Sequence, residues 1–212
     1  MSIPDLDILH KDTTMIVINK PAGLLSQPGR RVEKWDSVIT RIKPHYPEAV
    51  AVHRLDEPTS GLMMVPITKA MASGLSKSFR ERLVNKRYEA IVTGILEKDE
   101  GSIDFPLMAD WPNRPRQKID FENGRPSLTH FQVLERNTKE NWTRVDLEPY
   151  TGRSHQLRMH LMALGHAILG DPLYADPETL AKAPRMLLHA KHLDLDHPLT
   201  GDKLVFDSAV PF

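Results

Sequence analysis

The chain has 212 residues, no cysteine, and 28 Lys and Arg against 28 Asp and Glu. That length can bury a sizeable core, as one elaborated domain or two closely packed halves, and the lack of cysteine excludes disulfides and thiolate metal sites. The polar, acidic start MSIPDLDILHKD is unlike a signal peptide, and no apolar run approaches the ~18 residues that span a bilayer, so a cytoplasmic protein without a membrane partner is expected.

In chain order, Ile8 to His10 and Met15 to Asn19 read as short strands around a His10-Lys11-Asp12 turn. Lys20-Pro21-Ala22-Gly23 opens a loop running to Gly29-Arg30-Arg31. Asp36 or Ser37 can cap a helix that carries Val38, Ile39 and Ile42 and stops before Pro44. Ala49, Ala51 and the neighbouring valines predict a strand that ends at His53-Arg54-Leu55-Asp56, where Pro58, Ser60 and Gly61 force a turn. A strand over 62–67 follows, and Thr68 caps a helix with Met71, Leu75 and Phe79 on one face. Tyr88, Ala90 and Val92 alternate along a strand over 87–92 that Gly94 ends.

The second half is rich in strands: 118–121, 127–134 and 143–147, with Asn123-Gly124 predicting a hairpin between the first two. Leu157, Leu161 and Leu164 predict a helix over 152–164, terminated by Gly165. A short helix over 177–182 and strands over 186–189 and 203–206 complete the chain. Many strands broken by a few helices, without strict βαβ alternation, predict an α+β fold with a mixed, mostly antiparallel sheet. The loops 20–34 and 105–117 are long enough to suggest function.

A neutral net charge argues against a nucleic-acid binder taken globally, but the charges are segregated. Residues 77–87 hold five basic residues (Lys77, Arg80, Arg82, Lys86, Arg87) against Glu81 alone, and 111–118 add Arg114, Arg116 and Lys118 with no acid. The acids gather at 97–104, 171–178 and 194–196. Trp111-Pro112-Asn113-Arg114-Pro115-Arg116 is stiff, aromatic and basic, either a surface turn or an arm for a phosphate backbone. Tyr88, beside Lys86 and Arg87, is a packing residue or a stacking platform for a base. His155 and His160 are five residues apart, about 140° around a helix, which is wrong for a metal pair. Arg153 and Arg158 flank a loop-to-helix junction, and a buried arginine there would need a carboxylate, for which Asp56 is the candidate. No serine-hydrolase elbow, P-loop or dinucleotide fingerprint is present.

HRLDEPTSGL, KRYEAIVTG, TGRSHQLRMHLMALGHAILGDPLY and RMLLHAKHL, with NKPAGLL near the start, resemble in order and spacing the motifs of the RluA-type pseudouridine synthases. They cover about three-quarters of the chain, and the WPNRPRQK loop and short length most resemble the family member that modifies both 23S rRNA and tRNA. The resemblance implies a pseudouridine synthase fold: a bent, mixed, mostly antiparallel sheet with a central RNA-binding cleft and flanking helices. It implies a single catalytic domain over 1–212 with no separate N-terminal RNA-binding domain, no cofactor and no metal. The reaction would cut the uridine N-glycosidic bond, turn the base over and rejoin it through carbon.

On this sequence the resemblance makes Asp56 the catalytic carboxylate, with Arg158 as the cation that keeps it charged. Tyr88 would stack on the base and assist proton removal at carbon 5, and Arg54 would fill the place the flipped uridine leaves. Arg114, Arg116, Lys118 and Arg153 are candidates for contact with RNA. Ala167 stands where relatives often have proline, and Ser154 where threonine is common. The partner implied is structured RNA, a 23S rRNA hairpin and a tRNA anticodon stem-loop; a monomer is the default expectation, since no large exposed apolar stripe stands out in the sequence. The alternatives are a relative with only a tRNA or only an rRNA target, or a non-catalytic RNA-binding module. A carboxylate glycosidase fits less well, because Glu57, the one near neighbour of Asp56, would point the opposite way on an extended strand.

Overall fold

Two runs, Met15 to Ile18 and Leu62 to Val65, are apolar at every position, as strands covered on both faces must be. The structure, a computed structural model, describes residue 3 and residues 6–212; residues 1, 2, 4 and 5 of the stretch read as unlike a signal peptide lie outside them. In chain order the elements are β1 (Asp7–Lys11), β2 (Met15–Lys20), α1 (Val38–Ile42), β3 (Ser60–Pro66), α2 (Lys69–Arg80), β4 (Asn85–Thr93), β5 (Glu100–Asp104), β6 (Leu107–Ala109), β7 (Gln117–Ile119), β8 (Leu128–Asn137), β9 (Trp142–Pro149), α3 (Gln156–Ala163), α4 (Pro177–Ala181), β10 (Leu188–Asp196) and β11 (Lys203–Asp207). A 3₁₀ turn at Val32–Lys34 interrupts the loop after β2. Among the described residues no helix is long and apolar enough to cross a membrane.

The chain divides into two compact units, residues 1–86 with 190–211, and residues 87–189 with 212. In the first, β2 pairs antiparallel with β1 and with β3, Ile16 opposite Val65 and Ile18 opposite Met63. Period-two alternation splits this sheet into two apolar faces. Ile16, Ile18, Met63 and Val65 pack with Val38, Ile39 and Ile42 of α1. Met15, Val17, Leu62 and Met64 pack with Met71 and Leu75 of α2 and with Leu193 and Leu195 of β10. Each of these buried side chains contributes about 1.5–3 kcal/mol. Both helices begin on hydroxyl caps: Ser37 and Thr40 form a reciprocal box at α1, and Thr68 accepts from the Met71 N–H at α2. Gly61, with φ of +115°, lies so close to the Ala190 backbone that any Cβ would strike its carbonyl.

In the second unit β4, β9, β8 and β5 lie side by side and antiparallel, while β6 and β7 form a separate two-stranded ribbon. Ala90, Val92, Val145, Leu147 and Phe131 make an apolar face that Leu157 and Leu161 of α3 cover.

Four expectations are corrected by the coordinates. Residues 49–59 form no strand, and at Leu55 the backbone groups are taken by a side chain in place of a ladder. Its N–H donates to Ser26 Oγ at 3.0 Å, and that hydroxyl donates to the Leu55 carbonyl at 2.7 Å. The turn at Asn123-Gly124 is real but joins no hairpin. Asp120 closes it, accepting the Gly124 N–H on its carbonyl and the Glu122 and Asn123 N–H groups on its carboxylate. Arg125 then exchanges both backbone bonds with Leu107, and β7 pairs back onto β6. Residues 105–117 are therefore partly strand, with only 110–116 left as the ribbon's tip, and β5 was not foreseen. Finally, α3 starts at Gln156, not at 152. His155 sits in the left-handed region (φ 55°), and the Gln156 side chain reaches back to accept from the Arg153 N–H and the Thr151 hydroxyl.

Candidate active site

In the first unit the candidate residues gather around the segment 53–59. Asp56 is half-buried, and the residues on either side of it are fastened at their backbones. Leu55 is held by Ser26 as described. The Glu57 carbonyl accepts from the Gly23 N–H at 2.8 Å and from Lys20 Nζ at 3.3 Å, and the Asp56 carbonyl accepts from the Thr59 N–H at 3.0 Å. The Glu57 carboxylate takes Lys34 Nζ at 2.7 and 2.8 Å in an exposed ion pair. A carboxylate held at both neighbours keeps its direction without strand pairing, which suits a reactive group.

Lys20 ends the apolar β2 fully buried, and its ammonium donates to the carbonyls of Pro21 (2.9 Å) and Leu24 (2.7 Å) as well as Glu57. Burial pushes its pKa down to about 8, while the charges of Asp56 and Glu57 hold it up. At pH 7 it is a fixed positive charge beside Asp56. This lysine lies inside NKPAGLL, a motif that assigns it no role by itself. A lysine closing a strand that is otherwise apolar was the available signal.

His53 holds the segment to β3: the Met64 N–H donates to Nε2 at 2.8 Å, and the ring stacks on Phe79 at 4.4 Å. Burial, then the nearby Lys86 charge, pushes its pKa down to about 3. In the second unit His189 is lowered to about 4, by burial and then Arg185, against a smaller pull from Glu89. Folded pKa values below the unfolded value near 6.5 mean that the unfolded chain binds more protons in this window. The stability these neutral rings contribute is present above pH 6.5 and is lost as pH falls toward 3–4. The urea midpoint should therefore drop between pH 7.5 and pH 5, with His53 accounting for roughly 1–2 kcal/mol of it. His53→Gln, which cannot titrate, should flatten that drop; an equal drop in the variant would refute the assignment.

In the second unit Tyr88 stands opposite Leu147 and packs, half-buried, along the apolar face of the sheet. Its strand neighbours face the other way: Arg87 pairs with Asp146 at 2.9 Å, and Glu89 with Arg144 at 2.6 Å. Arg158 lies on α3 with 2% exposure and forms a bidentate pair with Asp171, itself 1% exposed. Nε donates to Oδ2 at 2.7 Å and Nη2 to Oδ1 at 2.6 Å. Oδ1 also accepts the N–H groups of Leu173 and Tyr174, and the Tyr174 ring lies 5.1 Å from the guanidinium carbon. The sequence points to Asp56 as the carboxylate for a buried arginine here; the structure gives Arg158 a carboxylate in Asp171, in the Gly170-Asp171-Pro172 turn.

Of the candidates for RNA contact, Arg54 is exposed in the first unit. The others lie in the second. Arg114 and Arg116 sit at the exposed tip of the β6–β7 ribbon, where the Arg114 guanidinium stacks 4.1 Å over a Trp111 that is 63% exposed. Lys118 pairs with Asp120 at 3.1 Å, and Arg153 donates to the Pro126 carbonyl at 3.2 Å. The basic run 77–87 is shared out: Lys77 and Arg80 are on the exposed side of α2, and Arg87 is paired. Among the described residues no three ligand-type side chains converge as a metal site would need.

Comparison with known proteins defines the class. A sequence model of the RNA pseudouridylate synthase family matches residues 14–163. The dual-specificity RNA pseudouridine synthase RluA of Escherichia coli K12 is 51% identical over 209 residues, covering 99% of this chain and 95% of that protein. The protein of the same name from Pasteurella multocida Pm70 is 50% identical over the same shares. Among solved structures, human RNA pseudouridylate synthase domain containing 1 aligns with a TM-score of 0.83 at 29% identity, covering all of this chain and 86% of that one. Human RNA pseudouridylate synthase domain containing 4 gives 0.74 at 28% identity, covering 97% and 88%. The chain belongs to the RNA pseudouridylate synthase family, isomerases that act on RNA, and has their α+β fold.

Proposed function

We propose that this chain converts specific uridines to pseudouridine in two kinds of RNA, a hairpin of 23S rRNA and the anticodon stem-loop of some tRNAs. The observation that carries the reading is Asp56, a carboxylate fastened at both neighbours beside a buried lysine, in a chain that is 51% identical over 209 residues to a dual-specificity relative. Asp56 supplies the carboxylate that acts on the ribose or the base while the N-glycosidic bond is broken and the base turned. Arg158 is its cationic partner in the chemistry, and Tyr88 offers an aromatic face to the base and a route for the proton at carbon 5. Arg54 fills the space left by the extruded nucleotide, offsetting an unstacking cost of a few kcal/mol. Arg114, Arg116, Lys118 and Arg153 grip phosphates, with Trp111 as a stacking surface. Residues 1–212 are read as one catalytic domain, working as a monomer in the cytoplasm and needing no cofactor.

Purified protein should release tritium from 5-tritiated uridine in both a transcribed 23S rRNA hairpin and a tRNA anticodon stem-loop. Release from one RNA alone replaces dual specificity by a single target. Release from neither, with binding to both, favours a non-catalytic RNA-binding module.

A further inference from the structure

Tyr174 touches four residues at once in the second unit. Its ring lies under the guanidinium of Arg158, 5.1 Å from the central carbon. Its backbone N–H donates to Asp171, the carboxylate that grips the same arginine. Its phenol oxygen accepts the backbone N–H of Gln117 at 2.8 Å and shares a hydrogen bond of 2.7 Å with Nδ1 of His155. Gln117 is the first residue of β7, directly after the basic tip, and the β6–β7 ribbon stands apart from the main sheet. His155 is the left-handed residue that sets where α3, and so Arg158, begins.

We propose that Tyr174 is a positioning residue with two separable duties: its hydroxyl anchors the RNA-gripping β6–β7 ribbon, and its ring orients Arg158. The proposal rests on the roles given above to Arg158 and to the ribbon tip. The physical case is one of rigidity. A two-stranded ribbon is marginal by itself, so a fixed bond at the root of β7 sets where Trp111 and Arg114 are presented. A guanidinium held edge-on by a carboxylate keeps freedom to rock, and an aromatic face beneath it removes that freedom. Joining both restraints in one side chain makes the grip on RNA and the geometry of the reacting centre share a reference point.

The test separates the two duties. Tyr174→Phe keeps the ring and deletes the hydroxyl, removing its bonds to the Gln117 N–H and to His155 Nδ1. Tyr174→Leu deletes both. Each protein is assayed on a transcribed anticodon stem-loop carrying 5-tritiated uridine, for Kd and for the single-turnover rate at saturating RNA. Tyr174→Phe should weaken binding about tenfold, the scale of the loss of part-buried hydrogen bonds such as these two, while the saturating rate falls less than about threefold. Tyr174→Leu should in addition lower the saturating rate by about thirtyfold, as loss of orientation does. Should both variants shift Kd and rate in the same proportion, or Tyr174→Phe leave Kd unmoved, the side chain is only structural and the proposal is wrong. If Tyr174→Leu does not fold, the Phe variant still decides through its split between binding and rate. Two controls isolate the readings underneath. An undiminished saturating rate in Arg158→Lys would remove the role of Arg158, and an unchanged Kd in Arg114→Ala would remove that of the tip, in either case whatever Tyr174→Phe shows.

Discussion

Asp56→Ala is expected to bind RNA and to form no pseudouridine, a fall on the order of 10⁴-fold or more in the single-turnover rate, the scale seen when a catalytic group is deleted. The fold should survive. The segment is held by Ser26, Gly23, Lys20 and Lys34 through Leu55 and Glu57, and none of those bonds uses the Asp56 side chain. Lys20 keeps its three carbonyl partners when the carboxylate is gone. Thermal midpoints of variant and parent should therefore differ by only a few degrees, about 1 kcal/mol for a domain of this size. Asp56→Asn is the sharper experiment, because it preserves shape and removes only charge and nucleophilicity. It should be as inactive as the alanine variant. Tritium release at the parent rate from either protein would end the assignment of Asp56.

What the sequence could reveal depended on whether a feature was local. Caps at Ser37 and Thr68, the all-apolar runs of β2 and β3, and the alternation around Tyr88 report their own structure, and each was read within one or two residues. The segment 49–59 misled because alternating alanine and valine normally means a ladder, yet here the hydroxyl of Ser26, far off in sequence, satisfies Leu55. The Asn123-Gly124 turn misled for the opposite reason: the turn chemistry was right, and the partner of β7 lay upstream in a three-residue strand too short to show a period. The site divides the same way. Asp56, Tyr88 and Arg158 stand out as candidates because whole motifs match in register. Lys20, Asp171 and Tyr174 were overlooked as individuals, because their meaning is carried by partners: backbone carbonyls, a buried arginine and the start of a distant strand.

The pair of Arg158 and Asp171 gives the second large effect, and it separates stability from chemistry. Asp171→Asn keeps an oxygen for the Leu173 and Tyr174 N–H groups but takes away the charge that receives two bonds from a guanidinium only 2% exposed. Removing one partner of a buried pair commonly costs about 3–5 kcal/mol, and urea unfolding should show a loss of about 3 kcal/mol. If the pair existed for stability, deleting the second charge would only make matters worse. Buried ion pairs, however, are frequently no more stabilising than apolar groups of similar volume, since both charges must be stripped of water. Arg158→Met combined with Asp171→Asn should therefore be more stable than Asp171→Asn alone, recovering about 2 kcal/mol in a double-mutant cycle, while remaining inactive in tritium release. A double variant less stable than the single would show that the arginine is kept for the fold. One that regains stability without activity shows a charge pair retained at thermodynamic expense for the reaction, with Asp171 as the group that makes a buried guanidinium tolerable.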